Sequence, residues 1–352
     1  GEGECCDIMD ALWKVVHTDN PFLGVSLLKY LREHKKARLI ASPGINKKTI
    51  PIYRFLKYHV GEMCQWYRLP KKEKAAKIGR IAQWNRPEAT AESWEWEEYT
   101  ALSQFEASFD FSSYTGETAK PYKEPCYLRH RYFDHPVYHY RVFGLKTPMG
   151  RVETAVVVRV QEYEGSCILR VIDCIGKTEY ICHAAALIDA LLSEIDGEYA
   201  DIYEAGIADS CMVSGGWSKV ENSGNIMPDY FSPYLPENIK IYYFSTDAAA
   251  IFFKGDGDQD RPSWINTECE PLDMMNNLLE YPFDSKMILR KRRAIKRELT
   301  GNPNLIEKRI AILGGSTTHD IREILELFLL KHGISSQFYE SEYGRFWEDA
   351  MF

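Results

Sequence analysis

The stretch LRVIDCIGKTEYICHAAALIDALL, residues 169–192, carries the pattern that predicts the fold. Its first residues form an apolar run rich in Val and Ile, which is typical of a buried strand, and the run ends at Gly176. The residues that follow place apolar side chains at helical spacing. Before this stretch, a Val-rich run at 154–161 is joined to it through Glu164 and Gly165, a two-residue hairpin signal. A hairpin that leads through a glycine into a helix predicts a mixed α/β sheet.

The same order of elements occurs near the start of the chain. The stretch WKVVHTDNPFLGVSLLKYL, residues 13–31, reads as strand, loop and helix, and residues 38–41 form a second short apolar strand. The residues expected on the buried face of this helix are Leu23, Leu27, Leu28 and Leu31. Residues 1–70 and 151–244 both run strand, helix, strand, helix or turn, strand. The sequence therefore predicts two copies of one architecture.

A turn and a further helix are predicted after the second strand of the first copy. Ser42, Pro43 and Gly44 are typical turn residues. Asn46 is a typical N-cap, and the helix that it begins should run to Lys57. The residues expected to face inward are Ile52, Phe55 and Leu56.

We expect an α/β (α+β) protein of several segments. Two of them are modules with mixed sheets, and the last is the start of a partial Rossmann- or SGNH-like module. The polar, Lys-rich and Glu-rich composition after residue 70 predicts a linker. The expected segments are 1–70 (partial module), 71–126 (linker and surface excursion), 127–262 (second module), 263–307 (linker and basic helix) and 308–352 (start of the last module).

Composition excludes several classes of protein. Hydrophobic residues make up 45% and charged residues 27%, which is not the composition of a disordered or collagen-like chain. Lys and Arg number 43 against 51 Asp and Glu, so the net charge of -8 leaves no overall positive surface for nucleic acid. No apolar run reaches the roughly 20 residues of a membrane helix, so we expect no membrane span.

The cysteine pattern predicts a reducing compartment. The nine cysteines include no CxxC pair, so we expect neither a structural zinc site nor any other metal. Several cysteines lie inside apolar stretches, where they are expected as small buried side chains. No apolar signal segment opens the sequence. These features predict a cytoplasmic protein.

The loop of the first copy resembles the acyl-CoA-binding loop of the GNAT acyltransferases. That loop has the form R/Q-x-x-G-x-G/A and is followed by a Leu pair. Gly24 occupies its last position, and Leu27 and Leu28 occupy the pair. Asp19 and Phe22 depart from the pattern, since the family has a basic or Gln residue and a glycine there. A packing turn between a strand and a helix is the alternative interpretation.

The next helix resembles the GNAT motif N-x6-Y. Asn46 and Tyr53 match its spacing. The resemblance implies that the Tyr53 hydroxyl returns a proton to the departing CoA thiolate. The alternative is that Tyr53 packs in the helix face with its hydroxyl at the rim. Because the family places further strands before its acyl-CoA strand, the resemblance also implies that the first module is truncated.

The second copy follows the same plan with a poorer loop. Its loop has one glycine, Gly176, and Gly216 with Trp217 stands where the family has Gly-Phe. Asp173 and His183 are expected near the cleft, and a structural role for His183 is the alternative. The two copies together resemble a tandem GNAT architecture.

The resemblance implies that acetyl-CoA or another acyl-CoA is the cofactor. Its pyrophosphate would lie at the loop, where a helix begins, and its pantetheine along the preceding strand. The cofactor-binding residues implied are Val15, Val16, Gly24, Val25, Asn46, Asp173 and Gly176.

Residues 275–352 resemble the amino-terminal part of FkbH-like proteins of the HAD superfamily (HAD-IIIC). The matching pieces are residues 310–317, 325–327 and 338–343. The HAD nucleophile of that family lies downstream of this region. The strand, Gly-Gly-Ser-Thr loop and helix would cradle a substrate or phosphate at the helix start, with Ser316 as a candidate nucleophile.

Two charged segments have competing interpretations. For the acidic loop 256–260 we expect solvated aspartates, with Asp258 or Asp260 paired to Arg261, and the alternatives are a Ca²⁺ or phosphoryl site. For the basic helix 286–299 we expect a solvated face, and the alternative is a nucleic-acid or membrane surface.

The expected function is N-acyl transfer of the GNAT type. The acyl group would move from acyl-CoA to an amine on a sugar, a nucleotide sugar or a surface-polymer precursor. One alternative is an FkbH-like protein that loads glyceryl or acyl units onto an acyl carrier protein. The other alternative is a GNAT-like scaffold without catalytic activity.

Overall fold

The chain forms two separate units, residues 1–264 and residues 265–352, in a computed structural model. The residues that the structure describes are 6–10, 23–221, 223–231, 234–260, 279, 285–301, 305–312 and 319–340. The first unit contains two mixed sheets with helices between their strands, so the chain is a mixed α/β protein.

The first copy of the repeated pattern forms most of a four-stranded sheet. Its elements are β1 Cys6–Met9, α1 Leu23–His34, β2 Ala37–Ile45, α2 Ile50–Phe55 and β3 His59–Glu62. The apolar run 39–41 of β2 is fully buried, and β1 lies parallel to it. A continuous apolar run suits a parallel strand because both of its faces are covered.

The predicted turn at Ser42, Pro43 and Gly44 is wrong, because β2 continues through these residues to Ile45. Gly44 has a φ of 84°, and the pairing with the next strand shifts at this point. The turn residues therefore form a bulge inside a strand, where the glycine accepts the left-handed conformation.

The predicted inward faces of the two helices are only partly correct. Leu28 is buried, whereas Leu23 and Leu27 are largely exposed. In α2, Tyr53 is buried and Phe55 is 83% exposed. Ile52, which was also predicted to face inward, is 39% exposed. The helix begins after a 3₁₀ turn at Lys47–Thr49, and that tighter turn rotates the buried face relative to a continuous α-helix.

The second copy is larger and begins before its predicted boundary. The elements that follow β3 along the chain in this unit are β4 Cys64–Arg68, β5 Glu95–Tyr99, α3 Leu102–Ser108, α4 Pro125–Leu128, β6 Arg141–Lys146, β7 Val152–Tyr163, β8 Ser166–Gly176, α5 Ala185–Glu194, β9 Ala200–Ala205, α6 Asp209–Ser214, β10 Ser218–Lys219, β11 Tyr242–Ser245 and β12 Phe252–Phe253. The strand order in its sheet is β10-β4-β9-β8-β7-β6-β5, and β12 pairs with β9. The predicted hairpin is confirmed, since Glu164 and Gly165 both have positive φ between β7 and β8.

The segment predicted as a linker, residues 71–126, contains part of this sheet. Strand β5 pairs with β6 at the end of the sheet, and α3 buries Leu102 and Phe105. All residues of β5 except Tyr99 are exposed. The polar sequence that predicted a linker therefore belongs to an edge strand, where charged side chains are favoured.

Each sheet contains a strand from the other half of the unit. The first sheet has the order β1-β2-β11-β3, and the corresponding part of the second has the order β8-β9-β4-β10. In both, a parallel pair is followed by an inserted antiparallel strand. Strand β4 follows β3 along the chain but pairs in the second sheet, and β11 follows β10 but pairs in the first. The predicted duplication is present, and the two copies exchange one strand reciprocally.

The exchange brings the two sheets into one core. Leu39 and Ala41 of β2 belong to the same buried cluster as Tyr203 and Ala205 of β9. Phe252 of β12 lies in this cluster as well. The two copies are therefore joined by buried apolar contacts as well as by strands.

The second unit is a small α/β element. Its elements are α7 Ser285–Leu299, β13 Ile306–Ile312, α8 His319–Lys331 and β14 Ile334–Glu340. Ile288 and Ile295 of α7 pack with Leu327 of α8, and the strands β13 and β14 are parallel. The basic helix is confirmed as a helix.

Two basic side chains of α7 form ion pairs with α8, so the basic face of α7 is only partly solvated. Arg292 lies 2.7 Å from Glu323, and Lys296 lies 2.6 Å from Glu326. The sequence of residues 308–313 predicts a buried strand, but the first four residues of β13 are exposed. Among the described residues it pairs with β14 alone, so one edge and much of its surface remain open.

Candidate functional site

The parallel strands β8 and β9 separate soon after they begin to pair. They are hydrogen-bonded only over residues 169–171 and 200–202, although both continue further. The resemblance to GNAT acyltransferases implies that pantetheine lies along the strand that precedes the helix. In the second copy this strand is β8, and the gap lies between β8 and β9. The residues that border this gap therefore form the candidate site.

The chain itself fills the gap between β8 and β9. Phe252 and Phe253 pair with Ala205 and Glu204 of β9. On the other side, the Gly255 N–H donates to the Ile172 carbonyl of β8 at 2.8 Å. The described residues 252–255 therefore occupy the backbone positions at which a ligand would bridge the two strands.

The filled gap is lined by a buried ion-pair cluster around Asp173. Strand β8 has a bulge at Ile172, because the register with β7 shifts there. The Asp173 carboxylate accepts from Lys123 Nζ and from the Tyr132 hydroxyl, each at 2.5 Å, and from the Cys174 N–H at 2.8 Å. Asp173, predicted to bind cofactor, is thus bonded on several sides to protein groups.

The acidic loop belongs to the same cluster, and the expectation of solvated aspartates is wrong. Asp256 is buried, lies 3.2 Å from Lys123 Nζ and accepts from the Phe253 N–H at 2.9 Å. Burial, with a contribution from the negative charge of Asp173, raises the pKa of Asp256 to about 6 against the opposing effect of Lys123. The pKa of this carboxyl therefore lies above the ordinary range of an Asp. The same carboxyl holds residues 253–256 in place through its contacts with Phe253 and Lys123.

Asp260 has a similar role at the end of the loop. Its carboxylate pairs with Arg131 and accepts from the Tyr140 hydroxyl at 2.5 Å, while Arg159 donates to the Asp260 carbonyl at 2.6 Å. The pairing that the sequence predicts for Asp260, with Arg261, lies outside the described residues. The loop is held by buried cations from distant parts of the chain.

A cavity of about 320 Å³ opens at the carboxyl end of β8. It is bordered by Lys123, Cys174, Gly176, Lys177 and Thr178. Gly176 has a φ of 93°, and a Cβ there would lie 2.2 Å from the Glu153 carbonyl oxygen, so this position requires glycine. The cavity lies where the loop leads into the helical segment, which is the position expected for an anion-binding loop.

His183 and Trp217 have structural contacts. The His183 ring stacks on Trp94 with a centroid distance of 3.9 Å, and its Nδ1 lies 2.7 Å from the Glu92 carbonyl oxygen. Trp217 is buried in the core of the second copy. These contacts agree with the structural interpretation of His183.

In the first copy, Tyr53 lies in an apolar cluster. Its ring stacks on Phe244 with a centroid distance of 4.0 Å, and it is 3% exposed. Burial, with a smaller contribution from the charge of Asp10, raises the pKa of Tyr53 to about 12. The hydroxyl is therefore protonated at neutral pH.

The other predicted site residues of the first copy surround the start of its helices. Asn46 caps the 3₁₀ turn, since its side chain accepts from the Lys48 N–H at 2.9 Å. Gly24 is buried and Val25 half-buried in the first turn of α1. The Ser42 hydroxyl donates to the Asp10 carbonyl, where β1 ends. Val15, Val16 and Ser316 lie outside the described residues.

The sequence analysis missed the cations of the filled gap. Lys123 lies in a polar segment that predicted a linker, and Arg131 and Arg159 carried no motif. The available signal was the alternating aspartates of residues 256–260, which need cationic partners if they are buried.

The described part of the chain contains neither a metal-binding group of side chains nor a helix that could cross a membrane. No group of three or more His, Cys, Asp or Glu side chains there is arranged to hold a metal ion. None of the helices described has the length and apolar character to cross a membrane.

Comparison with known proteins gave similarity to solved structures alone. No protein-family model and no curated protein matches the sequence. A GCN5-related N-acetyltransferase from Anabaena variabilis ATCC 29413 is similar at 10% identity and a TM-score of 0.38, over 64% of this chain and 51% of that one. A probable N-acyltransferase from Enterococcus faecalis V583, described as a conserved protein of unknown function, is similar at 13% identity and a TM-score of 0.35, over 62% and 47%.

A further similar structure is Saccharomyces cerevisiae N-myristoyltransferase with bound myristoyl-CoA. The identity is 10% and the TM-score 0.32, over 66% of this chain and 60% of that chain. This chain spans about half the length of the first two structures. At these identities and with TM-scores below 0.5, the similarities carry no functional conclusion for this chain.

Proposed function

We propose that the protein is an N-acyltransferase of the GNAT type, which moves an acyl group from acyl-CoA to an amine. One observation carries the proposal. Both sheets of the first unit contain a parallel strand pair with a helix between its strands, followed by an inserted antiparallel strand. This arrangement agrees with the tandem architecture that the motifs resemble.

The first copy is the proposed site of acyl-CoA. In the second copy, residues 252–255 bond to both β8 and β9, and buried ion pairs at Asp256 and Asp260 hold them there. Displacing them would expose buried charges, which costs several kcal/mol. The same observation favours a scaffold role, without catalysis, for the second copy.

The chemistry needs an amine nucleophile and a proton for the leaving sulfur. Acyl-CoA supplies a thioester carbonyl; the amine attacks its carbon, the C–S bond breaks, and the nitrogen releases a proton to water as the amide forms. The Tyr53 hydroxyl is the proposed donor of the proton to sulfur, which suits a phenol that is protonated at neutral pH. Gly24, Val25 and Asn46, with Val15 and Val16, are the proposed cofactor-binding residues. Asp173 and Gly176 are their counterparts in the second copy, but residues 252–255 fill the gap there, so we propose that these two residues bind no cofactor.

The binding experiment is calorimetry of the full chain with acetyl-CoA. We expect one molecule per chain, because residues 252–255 fill the gap of the second copy. Gly24→Leu should abolish binding, since a side chain on this buried residue would narrow the approach to the start of α1. Ala186→Leu, at the same position of α5, is the matched control and should bind normally. Two molecules per chain would contradict the assignment to one copy, and absence of binding would contradict the acyltransferase.

A second experiment tests Tyr53. Tyr53→Phe should lower turnover by roughly 10² to 10⁴ with little change in CoA affinity, because a positioned acid acts in the transition state. Tyr58→Phe is the control, since Tyr58 also stacks on Phe244 and loses the same atom. Equal turnover in the two variants would remove Tyr53 from the acid role.

The acceptor and the second unit are finer parts of the proposal. We propose an amine on a sugar, nucleotide sugar or surface-polymer precursor as the acceptor. For the second unit we propose an FkbH-like role with an acyl carrier protein, with Ser316 at its loop. The parallel β13-α8-β14 arrangement agrees with the start of such a module.

A further inference from the structure

Two cysteines from different elements meet beside the cavity at the end of β8. Cys182 lies in the 3₁₀ segment Thr178–Ala184, and Cys211 lies in α6. Both thiols donate to one acceptor, the Glu179 carbonyl oxygen, at 3.2 Å for Cys182 and 3.0 Å for Cys211. The two sulfurs therefore converge on one point.

The backbones that carry these cysteines are closely packed. A Cβ placed on Gly215, at the end of α6, would lie 3.0 Å from the Cys182 Cα. The Gly215 N–H donates to the Cys211 carbonyl at 3.1 Å, so the same glycine links the two cysteine backbones. Close backbones and converging side chains are what a disulfide requires.

The protonation of Cys211 suits a pair of thiols. Burial, followed by the neighbouring Cys182 thiol, raises the pKa of Cys211 to about 12. Cys211 is therefore protonated at neutral pH, in agreement with the S–H that it donates to the Glu179 carbonyl. Both residues are half-buried, which leaves them accessible to a small oxidant.

We propose that Cys182 and Cys211 are a redox-active dithiol that closes to an intramolecular disulfide on exposure to a hydroperoxide. The Cys182 sulfur attacks a peroxide oxygen and the O–O bond breaks, so that a sulfenic acid forms and the Cys182 thiol proton departs with the leaving oxygen as water or an alcohol. The Cys211 sulfur then attacks the Cys182 sulfur, and the S–O bond breaks as the S–S bond forms. The oxygen leaves as water with the Cys211 proton. The two thiols lose two electrons and two protons, and the hydroperoxide is reduced.

Closure of the disulfide changes the rim of the cavity. It removes both S–H donors from the Glu179 carbonyl, and Thr178 and Glu179 border the cavity. The 3₁₀ segment becomes covalently tied to α6. The modification site stands independently of the acyltransferase proposal, because it rests on the two thiols and their shared carbonyl.

The experiment is oxidation of the full chain with hydrogen peroxide, followed by alkylation and peptide mass spectrometry without reduction. We expect a peptide in which Cys182 is linked to Cys211, lighter by two hydrogens and returned to two alkylated thiols by dithiothreitol. Cys182→Ser should abolish this peptide. Cys167→Ser is the matched control, since the Cys167 thiol also donates to a carbonyl, that of Ile195 at 3.2 Å, and the linked peptide should persist.

Two outcomes would overturn the proposal. One is peroxide-treated protein in which Cys182 and Cys211 are alkylated or oxidised separately and no linked peptide forms. The other is a disulfide between Cys211 and some other cysteine in the peroxide-treated Cys182→Ser variant. That result would show that Cys211 pairs with a different cysteine. The readout is covalent, so it does not depend on any change in stability of the variants.

Discussion

Asp260 has a side chain with no solvent exposure, between the guanidinium groups of Arg131 and Arg159. Asp260→Asn keeps the shape of the side chain but removes the negative charge that lies between two buried cations. We expect a loss of about 3–5 kcal/mol in the free energy of unfolding of the first unit. The measurement is urea denaturation of the full chain.

The control for Asp260 is the same change at an exposed ion pair. The Asp196 side chain is 96% exposed and lies 2.9 Å from Lys74. Asp196→Asn should change the free energy of unfolding by less than about 1 kcal/mol, because solvent screens such a pair. Similar losses in both variants would show that Asp260 is not held as a buried ion pair.

Asp256 predicts a dependence of stability on pH. Its pKa is raised from 3.8 to about 6 in the folded chain, so between these values the folded state binds more protons than the unfolded state. The contribution of Asp256 to stability is therefore greatest below about pH 4 and falls by about 3 kcal/mol as the pH rises through 6.

The test compares the wild type with Asp256→Asn, which cannot ionise. The free energy of unfolding of the wild type minus that of the variant should decrease by about 3 kcal/mol from pH 4 to pH 7. The side-chain oxygen of Asn is able to accept from the Phe253 N–H as the carboxylate does. A difference that rises with pH would mean that the pKa is lowered in the folded chain.

Among the elements, β13 and β8 illustrate two kinds of parallel strand. Most of β8 is buried between β7 and β9, whereas the first four residues of β13 are exposed and its described partner is β14 alone. Amide hydrogens of β13 should exchange at least ~10²-fold faster than those of β8, since few buried contacts resist local opening. Hydrogen exchange followed by mass spectrometry of the full chain measures both in one sample.

Equal protection of β13 and β8 would contradict this expectation. It would show that β13 has a further strand or covering element in solution. Exchange in β14 serves as the internal comparison, because β14 shares the hydrogen bonds of β13 along residues 334–340.

At the scale of the whole molecule, the reciprocal exchange of β4 and β11 predicts one cooperative first unit. Phe244 of β11 has no exposed surface and stacks on Tyr53. Phe244→Ala should cost about 3–5 kcal/mol of unfolding free energy, because it leaves a cavity. The amide hydrogens of β2 and of β8 should lose protection from exchange to the same extent. Neither sheet is able to unfold without releasing a strand that comes from the other half of the first unit.

Phe55→Ala is the control for Phe244→Ala. Phe55 is 83% exposed, so its loss should change the unfolding free energy by no more than about 0.5 kcal/mol. If Phe244→Ala lowered protection in β2 while β8 kept its protection, the two sheets would unfold independently. The coupling argued from the exchanged strands would then be wrong.

The sequence by itself determined the elements whose signals are local. Apolar runs predicted β7 and β8, a two-residue turn predicted the hairpin, and helical spacing predicted α5. The basic segment 286–299 was predicted as a helix and forms α7. Asn46 was recognised as a cap because capping depends on residues two or three positions away. Such patterns act within one turn or one strand, so they can be read along the chain.

Only the tertiary structure decided which strands pair and what fills the gap. Strand β4 pairs with β9, which lies more than a hundred residues further along the chain. No local pattern in either strand indicates which strand it pairs with. The loop 256–260 reads as solvated because charge predicts exposure. It is buried because Lys123, Arg131 and Arg159 arrive from distant strands and loops to offset the cost of desolvation. The site therefore depends on charges that lie far apart in the sequence and meet only in the folded chain.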